Sequence, residues 1–360
     1  MPTRRLRSPR PGPDRRAVAL GSLALAGLLA ACTSPGPTPA AAPVSAPSQA
    51  AESVAPDPTE VPAIRTTSPL SGREGGVDAP IVVVKLDNTP AAQPHRGLTE
   101  ADIVYVEPVE WGLTRLAAVF ATKVPKVVGP VRSARISDIE LFEQFGPVAF
   151  VYSGAQHRLW SKLQAADWYP MSQDFGSSGF HRERGTGRYA PTNLMADPRV
   201  MLDQAGDGVA RTRDLGWVFD EQRPDGGTKA TRVTARWPES SVQFRWNADQ
   251  RAYDVWMNGR PARDTAGPKV QRASTAIIQY VKEVDSGYGD KFGGRTPLAV
   301  TVGQGKALLL RDGRAYRIRW ERPTAADPTT YLDPDGRPLP FAPGQVWILL
   351  QAKERKASIG

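Results

Sequence analysis

The chain is 360 residues long, with 46 Lys and Arg against 37 Asp and Glu, a formal net charge of +9. Residues 1–31 hold six arginines and one aspartate, a net +5, which leaves +4 for everything that follows. That balance is too small for the basic footprint of a nucleic-acid binder, and a single cysteine excludes an internal disulfide framework.

The first 16 residues carry those arginines, and the apolar run AVALGSLALAGLLAA follows at 17–31. It is shorter than the ~20 residues that span a bilayer. Its order of charged, apolar and small-residue regions is that of an export signal, so 1–31 are set aside from the fold. The end of the run, LAAC at 29–32, resembles the bacterial lipobox. That resemblance implies acylation of Cys32, palmitate included, and a protein exported and lipid-anchored to the outer face of the bacterial cytoplasmic membrane. The stretch DRRAVAL at 14–20 fits a twin-arginine signal and a plain basic leader equally well.

Residues 32–68 comprise the lipidated cysteine and a segment dominated by Pro, Ala, Ser and Thr. With so few large apolar residues it has no core to form, which predicts a disordered tether. Residues 69–225 are expected to fold as an N-terminal α/β-type sandwich domain. The runs PIVVVKLDN (80–88), ADIVYVEPVEW (101–111) and VAFVYSG (148–154) read as strands, with 115–122 and 126–131 as a further pair. Ile136, Ile139, Phe142 and Phe145 recur at helical spacing, with Ser133 as the N-cap, and 155–166 make a second helix. Ser153 caps that helix rather than acting as a nucleophile, since the G-x-S-x-G elbow is missing. Gly and basic residues at 173–191 read as a mobile loop, and 192–206 as a short helix capped by Thr192 or Asn193.

From 226 to 353 the pattern turns to short strands separated by turn residues, Asp312-Gly313 being the clearest hairpin. This predicts a mainly antiparallel β domain, then a tail at 354–360. The fold class expected for the whole is α+β.

The segments VKLDN (84–88), GLTEADIVYVE (97–107), GLTRLAAVF (112–120) and GPVRSAR (129–135) resemble the YerB-like lipoproteins, a domain-of-unknown-function family. GQGKALLLRDGRAYRIRW (303–320) and TTYLDPDGRPLPFAPGQVWILL (329–350) are similar to that family's C-terminal domain. The resemblance implies a membrane-anchored two-domain envelope protein and no particular activity. Thr192 departs from it, standing where a histidine is expected.

Three histidines, His95, His157 and His181, lie in no ligand-like spacing, and the motifs call for neither a metal nor a cofactor. The candidate anion site is Arg132, Ser133, Arg135 and Arg115, because planar guanidinium forks suit phosphate or carboxylate. A polar cluster of Asp87, Asn88, Asp102, Glu107 and Asn193 accompanies it. The arginines either pair internally with Asp87, Asp102, Glu107 or Glu110, or present their N–H groups to a ligand, and both hold if the carboxylates position them.

The preferred reading is a non-enzymatic module for an anionic envelope ligand or a protein partner. The alternative is a phosphoryl-transfer enzyme acting on a polyprenyl-linked pyrophosphate, on a remote similarity to the LytR-CpsA-Psr phosphotransferases carried by Asp87, Asp102 and Arg132. That resemblance implies magnesium as cofactor, and Ser133 departs from it where an aspartate is preferred.

Overall fold

The computed structural model describes residues 65–265 and 270–360; the export signal, Cys32 and the tether up to residue 64 lie outside the described residues. Four long runs, of six or seven residues, are buried along their whole length: β1 (Val82–Asp87), β2 (Ile103–Pro108), β3 (Thr114–Phe120) and, much later, the strand Val346–Ala352. Strands buried on both faces read as continuous apolar runs. The first half adds β4 (Ala149–Tyr152), β5 (Tyr169–Ser172), β6 (Phe180–Arg182) and β7 (Leu194–Ala196), with α1 (Ser137–Glu143), α2 (Trp160–Ala165) and α3 (Pro198–Ala205).

The second half begins with β8 (Thr228–Lys229), β9 (Arg232–Arg236), β10 (Ser241–Asn247), β11 (Ala252–Met257), β12 (Arg260–Pro261) and β13 (Arg272–Ala273). It continues with β14 (Thr275–Gly289), β15 (Arg295–Val300), β16 (Gly303–Arg311), β17 (Arg314–Arg322) and β18 (Thr330–Leu332). The last strands are β19 (Val346–Ala352) and β20 (Ser358–Ile359).

Twelve of these strands form one sheet in the order β18-β17-β16-β14-β19-β2-β3-β1-β4-β5, with β15 beside β14 and β8 beside β17. The junction is β19, which pairs in parallel with β14 on one side and with β2 on the other. The segments expected as separate domains on either side of residue 225 therefore share a sheet.

Side chains alternate across a strand, so the large sheet has two apolar faces. Val82, Val84, Val104, Trp347 and Leu349 pack toward Val233, Phe244 and Val255 of the second, six-stranded sheet β12-β11-β10-β9-β20, with β13 beside β11. Val83, Ile103, Tyr105 and Ile348 pack on the other face against Leu141 and Phe142 of α1 and Leu163 of α2. The layers are sheet, sheet and short helices.

Three α-helices of 7, 6 and 8 residues against twenty strands make the described fold mainly β. The expected α+β class holds only roughly, and the alternation of strands and helices in the first half does not produce a doubly covered α/β sandwich. The second sheet takes one of the faces on which helices were expected.

Several local expectations also change. Residues 126–131 form no strand pair but single bridges, Val131 to Leu86, Gly129 to Arg96 and Val128 to Ala196. Thr67 bridges Glu74 and Ser68 is buried, so the fold takes in the last residues assigned to the tether. The 173–191 loop contains β6, paired with β7, and α3 is capped not by Thr192 or Asn193 but by Asp197, whose side chain accepts from the Arg199 N–H. Residues 155–166 include a 3-10 turn at His157–Leu159 before α2, so Ser153 lies too early to cap it. Asp312 and Gly313 stand at φ 50 and 69 between paired Arg311 and Arg314, the two positive values a type I′ hairpin requires.

A candidate anion-binding cleft at the strand ends

Alternation along β1 sends Val83, Lys85 and Asp87 to the face that α1 covers, and Tyr105, Glu107 and Arg115 follow suit on β2 and β3. The register sets Arg115 opposite Asp87 on one side and Glu107 on the other. Charged groups thus enter the core at one end of the sheet.

Burying a charge is costly unless it is paired. Lys85, fully buried, donates to Glu107 and Asp138 at 2.6 Å each. Ser137 Oγ donates to the second oxygen of Glu107 at 3.2 Å. Two carboxylates meet one ammonium, and burial together with Asp138 raises the Glu107 carboxyl to about 7 despite Lys85. The lysine in an otherwise apolar strand is a signal that sequence reasoning passed over, because such a residue demands buried carboxylates.

Asp87 takes Arg132 Nε at 2.8 Å on one oxygen and lies 3.3 Å from Arg115 Nη1 through the other. Burial alone would raise its carboxyl, but the two guanidinium groups outweigh that and hold it below the ordinary value. Burial pulls Arg115 down to about 10, opposed by Asp87. Beneath them the buried His95 ring nitrogen Nε2 lies 2.7 Å from the Asp87 carbonyl oxygen, and burial lowers this imidazole.

Arg135 is held differently. Its Nε lies 2.8 and 3.1 Å from the Glu110 oxygens, Nη2 reaches one of them at 2.6 Å, and Nη1 donates to the carbonyls of Ser133 and Ala134. Burial raises Glu110, and Arg135 more than offsets it. Thr296 Oγ of β15 also donates to Glu110, tying this end of the sheet to the second half of the chain.

The arginines do not stand in a helix's first turn as expected. Residues 131–134 run extended between β1 and the turn after β4, with Arg132 N–H donating to the Lys85 carbonyl and Ser153 N–H to the Arg132 carbonyl. Helix α1 begins four residues after Ser133, with Ile136 at its N-cap position and no side-chain cap bond. Ser133 caps nothing, and the helix is too short to add a dipole of consequence.

Arg115, Arg132, Ser133 and Arg135 nonetheless line one open cleft of about 640 Å³. Its opposite wall comes from Tyr288 at the end of β14 and from Asp290, Lys291 and Phe292 in the β14–β15 connection. Trp111, at φ 62, stands more than half exposed on the rim and donates its indole N–H to Asp290 at 2.8 Å. Gly294 is required there, since a Cβ would fall 2.4 Å from that indole nitrogen. These aromatic and hairpin residues were missed in the sequence because no local pattern ties residue 111 to residue 290.

The remaining candidates disperse. Asp102 accepts from the N–H groups of Ala121 and Thr122 and from Ser71 Oγ, at the far end of β2. Arg115 and Ala121 are six positions apart, roughly 20 Å along an extended chain. The Asp87, Asp102 and Arg132 constellation of the phosphotransferase alternative therefore does not assemble. Asn193 is engaged by Arg182, Glu183 and Arg188 around the β6–β7 hairpin, and Asn88 donates to Thr114 Oγ1 outside the cleft lining. Among the described residues no group of three or more His, Cys, Asp or Glu is arranged to hold a metal ion.

Comparison with known proteins adds the family. Residues 66–210 match "Protein of unknown function (DUF3048) N-terminal domain", and residues 233–348 match the corresponding C-terminal domain. The chain belongs to the YerB-like family. It is 28% identical over 290 residues to the putative lipoprotein YerB of Bacillus subtilis (strain 168), covering 77% of this chain and 83% of that protein. The crystal structure of the YerB protein from Bacillus subtilis is similar with a TM-score of 0.67 at 24% identity, over 82% of this chain and 100% of that one. The likeness extends to the fold, in which both family segments contribute strands to the large sheet. The relative's name as a lipoprotein agrees with the LAAC segment ahead of Cys32.

Proposed function

We propose that this YerB-like protein is a binding module of the cell envelope, anchored through Cys32, whose cleft receives an anionic ligand on Arg132. The observation that carries the reading is the uneven use of the arginines. Arg132 gives Asp87 its Nε alone, and its two terminal nitrogens have no protein partner among the described residues. The side chain is 27% exposed at the cleft wall, against 13% for Arg135.

Asp87 orients the guanidinium plane, and the free edge offers two parallel N–H donors to a phosphate or carboxylate. Arg115 Nε, buried and without a hydrogen-bond partner among the described residues, adds positive potential beneath. The exposed faces of Trp111 and Phe292 on the rim supply apolar contact for the uncharged part of the ligand.

The test uses inorganic phosphate and pyrophosphate as probes in calorimetric titration of the wild-type protein and Arg132→Ala. Pyrophosphate binding that is lost in Arg132→Ala, with the melting temperature nearly kept, is the expected result. A wild type that binds neither anion overturns the reading and leaves the arginines as scaffold.

A further inference from the structure

A second site lies elsewhere in the sheet. Strands β14 and β16 are paired from Ala276 to Gln279, after which β14 continues to Gly289 beside β15, and β16 keeps β17 as its partner. At this fork an open groove of about 800 Å³ runs toward the C-terminal segment. Five cations line it, Lys282, Lys306, Arg317, Lys353 and Lys356, and none of its lining residues is an aspartate or glutamate.

All five are exposed, and none makes an ion pair among the described residues. Exposed arginines elsewhere do: Arg211 with Asp78, Arg295 with Asp285 and Arg337 with Asp333. A concentration of like charge costs self-repulsion unless an anion relieves it. Between the cations the groove floor rests on Leu308, Ile318 and Trp320, each almost buried, while Val302 is partly exposed and Ile359 lies 45% exposed at the edge. A purely polar polyanion would leave that apolar surface unused.

We infer that the fork between β14 and β16 binds an anionic amphiphile, a single hydrocarbon chain with a phosphate headgroup, the lysines holding the head and the apolar lining the chain. Lysine suits phosphate as a compact point charge with three donors. Each methylene removed from water adds to affinity, so the chain and the head contribute separately. The groove shares no lining residue with the Arg132 cleft.

The experiment titrates the protein with octyl phosphate below its micelle-forming concentration, and separately with 1-octanol and inorganic phosphate. Octyl phosphate is expected to bind at least tenfold more tightly than either half alone. Lys306→Glu combined with Lys353→Glu weakens it tenfold or more, whereas Lys126→Glu, an exposed site outside the groove, leaves it unchanged. Val302→Asp brings octyl phosphate down to the level of inorganic phosphate. Equal binding of octyl phosphate and phosphate, equal binding of octyl phosphate and octanol, no binding at all, or a double variant that binds like the wild type each overturns the assignment.

Discussion

Every side-chain nitrogen of Arg135 has a protein partner, whereas Arg132, three residues earlier, engages only its Nε. The two differ because the segment passes the end of β1 first and the Glu110 turn second. Arg135 meets a carboxylate and two carbonyls; Arg132 meets one carboxylate oxygen. This separates a scaffolding arginine from an available one.

Removing Arg135 takes from the buried Glu110 its one cationic partner and leaves it the Thr296 hydroxyl and its own backbone N–H. Breaking one partner of a buried pair costs about 3–5 kcal/mol. Arg132→Ala leaves the buried Asp87 with Arg115 and the Thr89 N–H, and about 1.5 kcal/mol, the loss of one charge-assisted hydrogen bond, is expected. Urea unfolding of both variants should place Arg135→Ala well below Arg132→Ala; equal losses would remove the distinction.

Glu107 makes stability depend on pH. Its folded value of about 7 lies above the ordinary 4.5, so the folded state holds a proton that the unfolded chain has given up. The contribution is full below about 4.5 and is lost as pH rises through about 7. In Glu107→Gln this loss disappears, so the stability of wild type relative to Glu107→Gln should fall between those pH values. A constant difference across the window would show that Glu107 does not take up the proton.

Ile348 lies in β19 at the junction of the two segments and is fully buried. Ile348→Ala should cost about 2–5 kcal/mol. Because β19 is hydrogen-bonded to both β2 and β14, far-UV and tryptophan signals should shift together in one transition. Two separated transitions would mean that the segments unfold independently.

Cys32→Ala tests the anchor. The expected outcome is exported protein in the aqueous phase of a detergent partition, against wild type in the detergent phase. Wild-type protein that partitions into water would refute lipidation.

Particular residues show how far the amino-acid pattern reached. Buried strands announced themselves through mostly apolar runs, as in the 82–87 and 346–352 segments, and the Asp312-Gly313 hairpin through turn chemistry. The gathering of Arg115, Arg132 and Arg135 followed from their places near strand ends. Asp102 was misplaced by the same reasoning: β1 and β2 both run antiparallel to β3, so a residue that opens β2 and one that closes β1 lie at opposite ends. Ser133 was misread because a serine before an apolar period looks like a cap whether or not the helix starts there. The Trp111–Asp290 contact joins residues 179 positions apart, and only the assembled sheet brings them together.

The lateness of β19 in the chain has a consequence for biogenesis. Until residues 346–352 have been synthesised, β2 and β14 each present an unpaired edge, and neither part of the large sheet is complete. Open apolar edges are templates for aggregation, and pairings so distant in sequence close slowly. Closure of the large sheet therefore waits until residues 346–352 are free to pair, and the interval before it is when a chaperone has most to protect.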